Sequence, residues 1–230
     1  MELAALDDAT VIDAPGSTLM PGMVDVHVHL AFDGSDDPRS VQLDQASLDD
    51  ERIALRAVAH AQDALRWGFT ALRDLHAPGR TVLGVRDAIN AGWVAGPTIK
   101  ACGQGLSVTG GHMDFRGDGA PLGASPANLC DGPEAFRAGV REQVRRGADC
   151  VKINLCGGSI QDPERPYKQE MADEEVKAAI AEAHRLERHV AAHTSGGPSV
   201  TMAVEAGLDD LPADAREPAA RAGRLALRSH

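Results

Sequence analysis

Two histidines stand one residue apart in the run PGMVDVHVHL, residues 21–30. Their alternation with valine has the period of a β-strand, on which every second side chain leaves the same face. Asp25, His27 and His29 then project to one side, and Val24, Val26 and Val28 to the other. Neutral imidazole is the commonest protein metal ligand, so two such rings on a rigid strand can grip a divalent ion. An edge strand with a polar outer face gives the same alternation, and the pair alone does not decide between the two.

Two further runs carry chemistry at the same place on a strand. In CVKINLC, Lys152 shares its parity with Asn154, opposite Val151, Ile153 and Leu155. A salt bridge to a neighbouring strand is the ordinary reason for a lysine there. In HVAAHTS, His193 follows small apolar residues, where a lone histidine is most often a satisfied core residue. Three separate strands that each end in a metal-competent or reactive side chain make coincidence the weaker explanation. Arg73 and Asp74, neighbours in FTALRDL, are expected to form an internal ion pair rather than to act catalytically.

The elements that must position these residues alternate short apolar runs with amphipathic stretches, the grammar of βα units around a parallel sheet. Five strands are expected, MVDVHVH (23–29), FTALRDL (69–75), TIKACG (98–103), CVKINLC (150–156) and HVAAHTS (189–195). SLDDERIALRAVAHAQDALRWG is expected to be a helix capped by Ser47, with Ile53, Ala57, Val58, Ala61, Ala64 and Leu65 on one face and Gly68 as its stop. DGPEAFRAGVREQVRRG repeats the pattern with Asp131 near the cap and Pro133 in the first turn, and ADEEVKAAIAEAHRLERH does so before the fifth strand. Two long loops, 103–132 and 157–171, follow the C-terminal ends of strands, where parallel α/β folds build their sites.

Composition removes several function classes. With 23 basic and 34 acidic residues the net charge is −11, which excludes the clustered positive charge of a nucleic-acid binder. The acidic start MELAALDDAT lacks the basic flank and apolar core of a signal peptide, and no apolar run reaches membrane-spanning length, so a cytoplasmic chain without a membrane partner is expected. Cys102, Cys130, Cys150 and Cys156 show no CxxC spacing and are expected to be reduced, buried and inert.

In order along the chain, PGMVDVHVHL, GFTALRDL, SVTGGHMDFRG, GADCVKINLCGGS and HVAAHTSGG resemble the amidohydrolase superfamily, most closely its branch of Xaa-Pro dipeptidases and imidazolonepropionase-like enzymes. The resemblance implies an α/β fold of the TIM type, a (β/α)8 barrel with a small β-sandwich built from both chain ends. It implies that His27 and His29 bind a first metal, that Lys152, carboxylated by CO2, bridges two metals, and that His193 binds the second. His112, in TGGHMD, matches a family histidine near the substrate. Lys152 and His193 are thereby the candidate catalytic groups. A carbamate offers two anionic oxygens that can span metals about 3.5 to 4 Å apart, and such a pair yields a hydroxide that attacks an amide carbonyl. Zinc suits the imidazole and carboxylate-like set best, with Mn, Fe and Co as alternatives.

The sequence also departs from that pattern. A complete barrel needs roughly 250 residues, and five βα units are expected here. The family's sixth-strand metal histidine falls at Ala213, within AGLDDLPADAREP, and the eighth-strand aspartate has no counterpart. Residues 1–20 are expected to be a remnant of the sandwich, 21–207 a partial barrel, and 208–230 a divergent tail without strand pattern. The implied activity is metal-dependent cleavage of a C–N bond in a dipeptide or cyclic amide, impaired in a truncated chain. A catalytically silent binding or oligomeric fragment is the alternative from another class, and a metal-dependent phosphoesterase the alternative among enzymes. Open edges on the first and fifth strands predict self-association.

Overall fold

The alternating grammar is realised as parallel strands in two sheets, with helices packed on their outer faces. The computed structural model describes residues 10, 12–35, 37, 40–41, 44, 47–116, 125–158, 167–195 and 198–211. Among these, the elements run β1 (Met23–Val28), α1 (Asp50–Arg66), β2 (Phe69–Asp74), α2 (Thr81–Asn90), β3 (Thr98–Ala101), β4 (Leu106–Ser107), β5 (Asn128–Leu129), α3 (Pro133–Arg145), β6 (Val151–Asn154), α4 (Asp173–Arg185), β7 (Val190–His193) and α5 (Pro198–Glu205). All five expected strands form. The 103–132 segment, expected to be a long loop, contains β4 and β5.

The strands lie in the orders β1-β2-β3 and β5-β4-β6-β7, every pair parallel. Asp149 joins the two sheets: its N–H donates to the Ala101 carbonyl (2.8 Å), while its carboxylate accepts from the Ala101 N–H (3.0 Å) and from Arg86 (2.6 Å). The parallel strands with intervening helices form part of a (β/α)8 barrel, as expected.

Side-chain parity divides inside from outside. Val151, Ile153 and Leu155 pack outward against Phe136 and Val140 of α3 and Val176 and Ile180 of α4, all buried. Leu72 and Ile99 pack likewise on Ile53, Ala57 and Ala61 of α1 and Val82, Leu83 and Val85 of α2. Inside, Leu75, Cys102, Cys150 and Ala191 fill the floor beneath the strand ends. All four cysteines are free and buried, as composition suggests.

Helix ends differ from expectation in instructive ways. The cap of α1 is Asp49, whose carboxylate accepts from the Arg52 N–H (2.9 Å); Ser47 donates instead to the Asp44 carbonyl (3.1 Å). Gly68 stops α1 at φ +90, a conformation open to glycine without strain. Asp131 does not cap α3, because Thr109 takes its carboxylate through both backbone N–H (3.0 Å) and hydroxyl (2.7 Å). Glu175 compensates, accepting from the Gly132 N–H before α3 and from the Ala172 N–H before α4, both at 2.7 Å.

The expected Arg73–Asp74 pair does not form, since adjacent strand residues face opposite sides. Arg73 donates to the Val26 carbonyl (2.6 Å) and pairs with Asp210. Asp74, fully buried, accepts from the Leu30 N–H (2.7 Å) and the His76 N–H (3.4 Å). Asp210 also bridges Ala191 in parallel, and Leu208 packs on the β7 core, so residues 208–211 lie beside β7. The β7 edge is therefore not bare, contrary to the expectation for the fifth strand. Among the described residues, β1 has a strand neighbour on one side only.

Candidate active site

A cavity of about 180 Å³ opens at the C-terminal ends of the strands, lined by His29, Phe32, Leu75, His76, His112, Met113, Lys152, Asn154 and His193. Each wall follows from strand parity. β6 delivers Lys152 and Asn154 and β7 delivers His193, each from the face opposite the helix-packed residues, and His29 directly follows the last residue of β1. Of the expected residues, His29, Lys152, His193 and His112 meet at this cavity. His27 stands one step back, its ring edge-on to His29 with centroids 5.2 Å apart, and its N–H donates to Asp25 (3.0 Å).

Burial sets the protonation of the imidazoles. His29 is pushed down to about 3 and His193 to about 2, each first by burial and then by neighbouring positive charge, Lys152 included. Both rings are therefore neutral at pH 7 and carry a lone pair. Nδ1 of His29 and Nε2 of His193 are enclosed and lack a hydrogen-bond partner among the described residues. Buried polar atoms are nearly always paired, so two unsatisfied nitrogens beside one cavity mark a place for a ligand. Lys152, 3 % exposed, lies against the same space.

His112 reaches the site from the 103–132 segment, and its backbone is clamped there. Its N–H donates to Glu170 (2.8 Å), and its carbonyl accepts from Ser107 (2.7 Å) and Asn154 (3.5 Å). The ring stacks on His193 with centroids 4.1 Å apart and planes 16° from parallel. Gly111 permits the clamp, because a Cβ there would lie 2.7 Å from Val108 and 3.0 Å from Glu170.

Sequence reasoning missed His76. It is 2 % exposed at the end of β2, and burial holds its ring well below the ordinary histidine range. A signal was present: LHAPG places a histidine just past a strand, as VHVHL and AAHTS do. Its period-2 neighbour is Asp74, the residue that the sequence assigns to an ion pair.

Fit to a metal is mixed. The neutral, unpartnered nitrogens of His29 and His193 and the buried Lys152 are a donor set suited to a divalent ion once the lysine carries an anionic group. Among the described residues no three His, Cys, Asp or Glu side chains form a closed metal-binding group. Ala213 lies outside the described residues.

A family profile described as the amidohydrolase family matches residues 18–220. The ochratoxinase of Aspergillus niger is 33% identical over 208 residues, spanning 84% of this chain and 42% of that protein. A prolidase crystallised with N-methylphosphonate-L-proline superposes with a TM-score of 0.80 at 30% identity, covering 91% of this chain and 52% of its own. A Xaa-Pro dipeptidase with bound methionine gives 0.71 at 30% identity, covering 83% and 47%. The chain thus spans about half the length of the relatives it matches.

Proposed function

The chain belongs to the amidohydrolase family, and from that premise we propose that its cavity is the metal site of a hydrolase acting on the C–N bond of a small amide such as an Xaa-Pro dipeptide. The observation that carries the reading is the pair of enclosed, unpartnered ring nitrogens on His29 and His193, beside Lys152. His27 and His29 would hold one ion, most suitably zinc, and His193 a second, with Lys152 as its CO2-derived carbamate between them. Bound there, the ions supply Lewis acidity toward an amide carbonyl and lower the pKa of water toward neutrality. The residues supply the rest. Burial keeps the His29 and His193 imidazoles neutral and ready to ligate. Phe32, stacked on His29 (5.0 Å), walls the site from water, and the clamped loop holds His112 where a substrate enters. Two of the relatives' names, prolidase and Xaa-Pro dipeptidase, point to a dipeptide, a small substrate whose amide bond adjoins a carboxylate-bearing residue.

The test is zinc content of the purified chain, with binding of N-methylphosphonate-L-proline and hydrolysis of Xaa-Pro dipeptides, N-acyl amino acids and lactams. Zinc uptake is expected, reduced by His29→Ala and by His193→Ala. Turnover is expected to be weak for the 230-residue chain, since loss of a positioned general acid/base typically costs about 10²- to 10⁴-fold. A chain that takes up no zinc would overturn the reading. Self-association through the free edge of β1 belongs to the same proposal.

A further inference from the structure

His76 differs from the other imidazoles of the cavity in one respect: its tautomer is fixed by the backbone. The Gly105 N–H donates to His76 Nδ1 at 2.9 Å, so Nδ1 carries the lone pair. An imidazole whose Nδ1 accepts a hydrogen bond is unprotonated there and carries its one proton on Nε2. That Nε2 is buried without a partner among the described residues, while the ring lines the cavity. The unpartnered nitrogen of His76 is therefore a donor, where those of His29 and His193 are free to be acceptors.

The surroundings preserve this arrangement. A Cβ at Gly105 would fall 2.6 Å from His76 Nδ1 and 3.3 Å from Lys152 Cγ, so glycine is what lets the backbone approach both side chains. Phe32 meets the His76 ring edge-on at 6.1 Å, and the His76 N–H is tied to Asp74 (3.4 Å). The ring is held by the backbone on one side and by packing on the other. Its one unmet need is an acceptor.

Resting on the proposed amide hydrolysis, we propose that His76 is a substrate-facing hydrogen-bond donor, its Nε2–H meeting the amide oxygen of the substrate as that oxygen gains negative charge. A preorganised neutral donor in a water-poor cavity stabilises charge where it develops, with no cost of reorientation at the moment of reaction. It takes and releases no proton. This separates it from Lys152 and His193, and a donor nitrogen cannot also be a metal ligand.

The experiment has two parts. In the metal-free 230-residue chain, long-range proton–nitrogen NMR of ¹⁵N-labelled histidine should show the Nε2–H form for His76; the Nδ1–H form overturns the proposal. With zinc present, N-methylphosphonate-L-proline, whose phosphonate oxygens imitate the charged tetrahedral state, is titrated into wild type, His76→Phe and His76→Gln. His76→Phe should weaken binding about 10- to 100-fold, as expected for one hydrogen bond to a charged group. His76→Gln, which keeps an amide donor, should recover most of it. Free L-proline, which lacks the tetrahedral group, should bind all three about equally. Equal phosphonate affinity in His76→Phe overturns the donor role alone, as does a parallel loss for proline. Zinc loss on either substitution makes His76 a ligand and likewise overturns it. A wild type that takes up no zinc, or takes it up and ignores the phosphonate, removes both readings.

Discussion

β1 and β6 share a sequence grammar yet occupy opposite environments. VDVHV and VKINL each alternate β-branched or aliphatic residues with polar ones; β6 lines the cavity with Lys152 and Asn154, and β1 leads into it at His29. Every residue of β6 is buried, whereas Val24 and Val26 of β1 are 62 % and 56 % exposed. β6 has strands on both sides and its outer face lies under α3 and α4. β1 has one strand neighbour among the described residues, and its outer valines lack cover. Alternation thus reports which residues share a face, but neighbours decide what that face is worth.

The largest effect should come from testing that inequality directly. Ile153 of β6 is fully buried among Phe136, Val140 and Ile180. Ile153→Ala should cost about 2–5 kcal/mol from lost transfer energy and the cavity left behind. Val26→Ala should fall within about 0.5 kcal/mol, the ordinary range for a surface site. Urea denaturation of both variants measures the two costs. Similar losses would mean that the outer face of β1 is covered in solution.

Much of the site was legible because its members obey period 2. His29, Lys152 and His193 fall on the cavity side of their strands as the sequence indicates, and His112 joins them from the loop. What stayed hidden depends on partners distant in sequence. Asp131 has a cap's position but loses its carboxylate to Thr109, 22 residues upstream. Arg73 pairs with Asp210 across 137 residues, a contact no local pattern can announce. His76 gains its meaning from Gly105, which approaches only because the chain turns back after β3. The roles assigned to residues 1–9 and 212–230 fall outside the described residues.

A second prediction sharpens the comparison through pH, in the metal-free chain. His29, His76 and His193 have folded pKa values depressed by burial, to about 3, well below the ordinary range and to about 2. The native state then binds fewer protons than the unfolded one, so stability present above about pH 6.5 is lost as pH falls through the histidine range. Asp74 acts in the opposite sense. Burial raises it to about 7, so its folded form favours the proton and its contribution to stability is lost as pH rises from the carboxylate range toward about 7. With three histidines against one aspartate, acid should destabilise the chain. Asp74→Asn removes the opposing group and should steepen the loss between about pH 6 and 5 by about 1.4 kcal/mol per pH unit. In Asp74→Asn, where His29 and His76 in the β1–β2 half stand against His193 alone in the other, hydrogen exchange at about pH 5 should open β2 and β3 before β6 and β7. The reverse order, or an unchanged slope in Asp74→Asn, would place the acid-sensitive groups elsewhere.

The smallest effect on stability should come from the open edge itself, and its signature is association. Met23, Val24 and Val26 expose apolar side chains beside a strand whose outer backbone groups have no strand partner among the described residues. Such an edge is a template for another chain, and lysine is the residue natural edges use to prevent pairing. β7 offers no equal template, because Asp210 already bridges Ala191 and the Ala192 N–H donates to the Asp210 carbonyl (3.3 Å). Val26→Lys should therefore leave the denaturation midpoint nearly unchanged while shifting the chain toward monomer in light scattering. A lysine at Leu208, which packs on the β7 core, should cost stability without that gain in monomer. If wild type is already monomeric at high concentration, the β1 edge is not the contact surface proposed. If Val26→Lys unfolds the chain, the valine is covered in solution and the inequality between β1 and β6 disappears with it.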